Sequence, residues 1–333
     1  MSVRLALVGA TGLVGSALLE CLEARGVTLA ELHPLASARS LGQRVGHGGR
    51  ELPVLELERF DFARSDVVIF CTGSEVAQAH APRAREAGCR CIDLSLAARL
   101  NPEVPLIMPA INAALLAALP PIVASPCAAG IQLVRVLHPL RSAGLERVAV
   151  TALVPASVAG REAIETLARE SVEALSGRGE AQDNVTPVAF RSLPEVGEVV
   201  TGGHTREELA LASEARRLLE LPQLPVRTNL VRVPVFYGQA LLVHVALQRP
   251  LTAGAARELL RTAAGVSVLQ APRGGGYPTV PSEAANRDTV CVGRIREYLD
   301  PDAGLNLWVA ADNVRTGAAN AVEILEALAG RTI

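Results

Sequence analysis

Three observations predict an α/β chain with a doubly wound parallel first domain and a second, α+β domain built on a mixed sheet. The first 126 residues alternate short β-rich runs with segments of helical periodicity. A glycine-rich turn stands where the first run gives way to the first helix. Further on, the strand-rich runs come as neighbours more often than as helix-separated units, which points to antiparallel or mixed pairing. At 333 residues the chain can form two medium domains, each large enough for its own core.

Arg4 to Val8 is a short apolar run, followed by Gly9-Ala10-Thr11-Gly12-Leu13-Val14-Gly15 and a helix reaching about Arg25. Leu32 to Ser37 reads as the second strand. Asp66 to Thr72 and Cys89 to Ser95 are continuous β-rich runs of the kind buried in parallel sheets, and Glu75 to Ala87 between them has helical periodicity. This succession is Rossmann-like. A strand ends just before Cys127, and an apolar helix leads from there to about Leu140. Arg147 to Val154 is then a strand, Arg161 to Leu175 a helix, and the polar stretch Ser176 to Asn184 an exposed loop. Thr205 followed three residues later by Glu208 is a capping-box signature for a helix through Leu219. Thr228 to Val235, Ala240 to Gln248, Thr289 to Arg296 and Leu305 to Ala311 read as strands. The last helix, about Val314 to Leu328, is expected to pack back onto the first domain. The domains are therefore 1–126 with 314–333, and 127–313.

Half the residues are hydrophobic, 20% are charged and the net charge is -2, which excludes a disordered chain and a concentrated basic face for nucleic acid. All 32 basic residues are arginine, so no Schiff-base lysine is available. The six cysteines (21, 71, 89, 91, 127 and 291) lack metal-site spacing, and no metal is expected. The opening apolar run has no basic flank and merges into the glycine turn, as a first strand does and a signal peptide does not. With no stretch approaching a membrane span, a reduced, cytoplasmic setting without a membrane partner is expected.

Glycines three apart at a strand–helix junction let a dinucleotide's pyrophosphate rest on the helix N-terminus, which marks Gly9, Thr11, Gly12, Leu13 and Val14 as cofactor residues. The second strand ends in Ala36-Ser37-Ala38-Arg39-Ser40. An acid that would bind the 2′-hydroxyl of NAD is replaced there by Ser37, Arg39 and Ser40, a guanidinium and two hydroxyls suited to a 2′-phosphate. NADP is favoured over NAD, the alternative being an ordinary surface arginine. Cys127 stands at a helix start, where free N–H groups and the helix dipole help a thiol to ionise.

Several blocks resemble one family over nearly the whole chain: the GATGLVG turn, Ala36 to Ser40, Ile92 to Arg99 (IDLSLAAR), Ile131 to Leu140 (IQLVRVLHPL), Arg232 to Gly238 (RVPVFYG), Val292 to Arg296 (VGRIR) and Leu307 to Ala319 (LWVAADNVRTGAA). In that order they resemble the aspartate-semialdehyde dehydrogenases. N-acetyl-glutamyl-phosphate reductase, a relative of similar plan, matches the second half less well. The resemblance implies a homodimer that binds NADPH and reversibly reduces an acyl phosphate. A cysteine forms the thioester, a histidine moves the proton, and two arginines hold carboxylate and phosphate. It places the phosphate-side arginine at Arg99, the carboxylate-binding one at Arg232 and an acidic pocket residue at Glu207, and it adds Gly73 and Asn313 to the cofactor set.

The chemistry positions depart from the family pattern. Aligned on Pro126 and Ile131-Gln132, the family's N-P-N-C-S-T-I-Q puts its nucleophile on Ala128, with Cys127 one residue early. Its histidine falls on Gln239, its active-site glutamine on Val154 and its pocket lysine on Ala210. One helix position turns a side chain by about 100° and moves it about 1.5 Å along the axis. A neutral amide cannot take up a proton near neutral pH. His244, five residues past Gln239 in a strand, faces the other side. These departures are similar to those of Usg-type homologues. Two readings stay open. One is a non-catalytic or altered homologue that keeps an NADP(H) pocket and a ligand with carboxylate or phosphate. The other is an active NADP-dependent semialdehyde dehydrogenase of amino-acid biosynthesis, with Cys127 as a displaced nucleophile.

Overall fold

A computed structural model describes residues 3–177, 186–200, 202–269, 277–279, 284–299 and 304–332. It divides into two compact units, Met1–Cys127 with Gly317–Ile333, and Ala128–Thr316.

The first unit contains β1 (Arg4–Val8), α1 (Leu13–Ala24), β2 (Glu31–Ala36), β3 (Arg44–His47), β4 (Arg50–Pro53), β5 (Leu55–Glu56), β6 (Val67–Phe70), α2 (Ser74–Glu86), β7 (Arg90–Asp93), α3 (Leu96–Leu100), α4 (Pro109–Asn112) and β8 (Ile122–Ala124). Six strands form a parallel sheet in the order β5-β2-β1-β6-β7-β8. Alternate residues of β1 enter different cores, as the two-residue period of a strand requires. Leu5 and Leu7 join Leu18 and Leu22 of α1, while Ala6 and Val8 join Phe60, Phe62 and Ala77 of α2. Burial on both faces explains why β6 reads as an unbroken apolar run. The chain leaves β1 toward β2 on one side, and β6 lies on the other. The order therefore reverses between β1 and β6, the crevice where doubly wound sheets bind ligands.

The second unit holds α5 (Ala128–Leu137), β9 (Leu145–Val154), α6 (Arg161–Leu175), α7 (Arg206–Leu218), β10 (Val226–Arg232), β11 (Gln239–Leu247), α8 (Ala253–Arg261), β12 (Val266–Val268), β13 (Val290–Glu297) and β14 (Gly304–Ala311). The last helix, α9 (Asn313–Thr332), begins here and continues into the first unit, where Ala318 to Ala329 share a core with Leu5 and Leu18. Arg25, the C-cap of α1, reaches Glu326 of α9 at 2.6 Å. The second sheet runs β10-β9-β11-β14-β13-β12. It is mixed: β9–β10 and β12–β13 are parallel pairs, the others antiparallel. On β11, Gln239, Leu241 and Val243 are buried while Leu242 and His244 are exposed, so His244 does face away from Gln239.

The predicted capping box forms. Thr205 Oγ1 accepts from the Glu208 N–H, and Glu208 Oε2 accepts from the Thr205 N–H at 3.0 Å. The other Glu208 oxygen accepts from the Leu230 N–H at 3.1 Å, fastening the start of α7 to β10. The helix after Cys127 ends at Leu137 rather than Leu140, giving way to a tighter 3-10 turn with Pro139 near its start. Proline brings no N–H to an α-helical ladder. The loop read at Ser176 to Asn184 lies mostly outside the described residues.

Candidate functional site

In the first unit, the glycine turn is shaped by steric demand. Gly9 has φ 85°, and a Cβ there would lie 2.6 Å from the Cys71 carbonyl oxygen and 2.9 Å from Thr72 Cγ2. A Cβ at Gly15 would overlap the Gly9 carbonyl. Both glycines therefore let the turn close on β6 and on α1, the roles such glycines have in dinucleotide sites. The Gly9 and Ala10 N–H groups donate to the Leu35 carbonyl at 2.9 and 3.2 Å, fixing the turn at the end of β2. Gly12 is the N-cap of α1, with no side-chain cap and no acid in the first turn. Leu13 and Val14 open that helix, so its first N–H groups are left for an external acceptor.

Thr11 Oγ1 lies 3.2 Å from Ser40 Oγ, so the structure joins the glycine turn to the segment after β2. Ser37 and Arg39 stand exposed on that segment. Gly73 is the N-cap of α2 at the end of β6, and a Cβ there would meet nothing within 4 Å. The residues fit a dinucleotide: a glycine turn that closes tightly on β6 and α1, beside an uncapped helix start. Arg99 lies on α3, whose N-cap Ser95 is held by an N–H bond to Asp93 Oδ1 at 2.7 Å. Burial pushes the Asp93 carboxyl above its usual range, and the Arg99 charge opposes that rise.

In the second unit, register aligns the other predicted residues. Arg232, the last residue of β10, pairs with Val154 on β9. Ala240 pairs with Leu153, which sets Gln239 against the same end of β9, and Gln239 pairs with Ala311 on β14. Neighbours in register project to one face. Arg232, Val154 and Gln239 thus form a row across three strands, with the outer two about 10 Å apart at a spacing of about 4.8 Å. Gln132 of α5 donates from Nε2 to Gln239 Oε1 at 3.4 Å, and both side chains are buried. Ala128 is one turn before Gln132, on the same face of α5.

Gln239 is delivered by a loop that Asn313 holds. The Asn313 side-chain oxygen accepts from the Gly238 N–H at 2.9 Å, and its amide nitrogen donates to Ser157 Oγ at 3.1 Å. Asn313, read from the resemblance as a cofactor residue, makes these bonds within the second unit. Arg232 exchanges both main-chain bonds with Leu193 at 2.9 Å, and among the described residues no carboxylate pairs with its guanidinium. Glu207 is the second residue of α7. Its Oε2 is buried with no hydrogen-bond partner among the described residues, and Gly197, at φ 91°, makes room for it: a Cβ there would overlap the carboxylate.

Val154 and Ala210, where the resemblance places an active-site glutamine and a pocket lysine, are buried apolar residues. Cys127, half-buried, directly precedes α5. Burial pushes other thiols up, Cys71 and Cys91 to about 12 and Cys89 to about 11. No cluster of three potential metal ligands occurs among the described residues. No described helix is long and apolar enough to cross a membrane. Sequence reasoning missed Gln132, Ser157 and Gly197 as site residues. The one available signal was a lone amide in the otherwise apolar stretch from Ala128 to Val134.

The family model described as semialdehyde dehydrogenase, NAD binding domain, matches residues 4–119, and the one described as semialdehyde dehydrogenase, dimerisation domain, matches residues 137–316. The chain belongs to the semialdehyde dehydrogenase family. Within that family, the aspartate-semialdehyde dehydrogenase of Legionella pneumophila is 40% identical, the match covering 98% of this chain and 95% of that protein. The USG-1 protein homolog of Azotobacter vinelandii is 38% identical over 98% of each. The crystal structure of aspartate semialdehyde dehydrogenase II from Vibrio cholerae, complexed with ASA, superposes with a TM-score of 0.94 at 35% identity, covering 99% of both chains. A named enzyme and a USG-1 homolog thus stand at nearly equal identity, so the site residues must divide the readings.

Proposed function

We propose that this semialdehyde dehydrogenase family member is an NADP(H)-binding homodimer that keeps arginines for a carboxylate and a phosphate but lacks the nucleophile–base pair of the reaction. The observation that carries this reading is the Gln132–Gln239 hydrogen bond, one turn from Ala128. A methyl group and a neutral amide occupy the two chemistry positions. The amide takes up no proton at neutral pH, and a missing general base typically costs about 100- to 10,000-fold in rate. Gly9, Thr11, Gly12, Leu13, Val14 and Gly73 would hold the dinucleotide, with Ser37, Arg39 and Ser40 on its 2′-phosphate. Bound NADPH would supply hydride. Arg232 would hold a carboxylate, Arg99 a phosphate, and Glu207 a cationic group. The domains on this reading are 1–126 with 314–333 for the cofactor, and 127–313 for ligand and dimer.

Calorimetric titration with NADP and NADPH, followed by a semialdehyde assay on the same sample, tests the proposal. Binding without turnover is expected. Phosphate-dependent NADP reduction with aspartate semialdehyde, lost in Cys127→Ala, would overturn it. The second reading, Cys127 as displaced nucleophile, is favoured by one observation: it is a half-buried thiol directly before a helix. Its mark would be rapid alkylation by iodoacetamide at about pH 6, well below the usual thiol range. Labelling no faster than at the other cysteines excludes it.

A further inference from the structure

The amide pair at the row of strand ends has a hydrogen-bonding signature of its own. Gln132 is fully buried and Gln239 nearly so, and they share one bond. Two amides joined by one hydrogen bond leave one amino group and one carbonyl for a third group, whichever way the two are flipped. The remaining Gln132 Oε1 is buried and has no hydrogen-bond partner among the described residues. An orphaned buried acceptor is costly, and a ligand that donates to it recovers that cost. A second buried acceptor without a partner, Glu207 Oε2, lies on the helix fastened to β10, the strand that ends in Arg232.

We infer that the second unit's site takes a small α-amino acid whose side chain ends in a group that both donates and accepts a hydrogen bond, a carboxamide or an alcohol. The ammonium faces Glu207, the carboxylate faces Arg232, and the side-chain end bridges the Gln132–Gln239 pair. This rests on the proposed reading of Arg232 and Glu207 as ligand anchors. An aldehyde or a carboxylate end offers acceptors only and leaves the amide carbonyl orphaned. A site built on paired polar groups rejects ligands lacking the matching one far more strongly than an apolar site rejects a missing methylene.

Four probes of similar size separate the possibilities: L-asparagine, L-homoserine, L-aspartate and L-2-aminobutyrate. Each is titrated by calorimetry into the full chain at neutral pH, with and without NADPH. Asparagine and homoserine are expected to bind at least about tenfold more tightly than aspartate and 2-aminobutyrate, a difference of about 1.4 kcal/mol. Gln239→Leu, with its fold checked by thermal melting, is expected to bring the four within about threefold of one another. Gln132→Met serves the same purpose if the first variant does not fold. Equal binding of all four, tighter binding of aspartate, no binding of any, or selectivity that survives in the variant would each overturn the inference. NADPH binding without turnover would meanwhile leave the broader reading standing, whereas turnover of aspartate semialdehyde would overturn that reading itself.

Discussion

Replacing Glu208 by alanine should loosen the start of α7 and the end of β10 together. Its carboxylate accepts from two backbone N–H groups, Thr205 at 3.0 Å and Leu230 at 3.1 Å, and both residues are buried. Alanine leaves both donors without an acceptor, at about 1–3 kcal/mol each, so the local cost is about 2–5 kcal/mol after partial relaxation. Glu208→Gln keeps one carbonyl and loses about half of that. Amide hydrogen exchange reads the effect where it arises, which matters in a chain of two units where a single unfolding transition is not assured. Exchange at Thr205 and Leu230 is expected to accelerate about 30-fold or more in Glu208→Ala, since each 1.4 kcal/mol is about tenfold. NADPH affinity, which the proposed reading assigns to the first unit, should be unchanged. Acceleration below about threefold, or equal losses in the alanine and glutamine variants, would refute the reasoning.

Gly9→Ala should cost about 2–4 kcal/mol, from a side chain forced to positive φ and a Cβ pressed on the Cys71 carbonyl, and it should weaken NADPH binding. Gly73→Ala, with open space around it, should leave the melting temperature within about 2 °C. Burial holds the His33 and His138 imidazoles below their ordinary pKa. Unfolding then takes up protons as pH falls below about 6.5, so stability declines on acidification through that region. Urea midpoints at pH 7.5 and 5.5 should show the decline, and His33→Gln should reduce it. Ala128→Cys combined with Gln239→His puts a thiol one turn from Gln132 and an imidazole in place of its bonded partner. NADP-dependent semialdehyde oxidation in the double variant should exceed that of either single variant by about 100-fold.

What was legible in the chain was what neighbours decide. The Thr205–Glu208 cap is a three-residue relation, and the strand β6 announces itself by unbroken burial. The hairpin of β3 and β4 was legible too, though it went unread: Gly48 and Gly49, both at positive φ, form the two-residue turn that right-handed strand twist favours. Long-range relations were not legible. Gln132 and Gln239 meet across 107 residues of sequence. The room that Gly197 leaves for Glu207 depends on how α7 docks, and the second bond of Glu208 depends on β10 arriving beside it. The motif positions of Arg232 and Gln239 were found by resemblance. Their common row follows only from the register of β9, β10 and β11.

The most direct test is to offer the full-length chain aspartate semialdehyde, NADP and phosphate, in a sample already shown to bind NADPH, and to follow formation of NADPH. No phosphate-dependent reduction above that of Cys127→Ala is expected. Sustained reduction by the unmodified chain that disappears in Cys127→Ala would contradict the loss of the nucleophile–base pair.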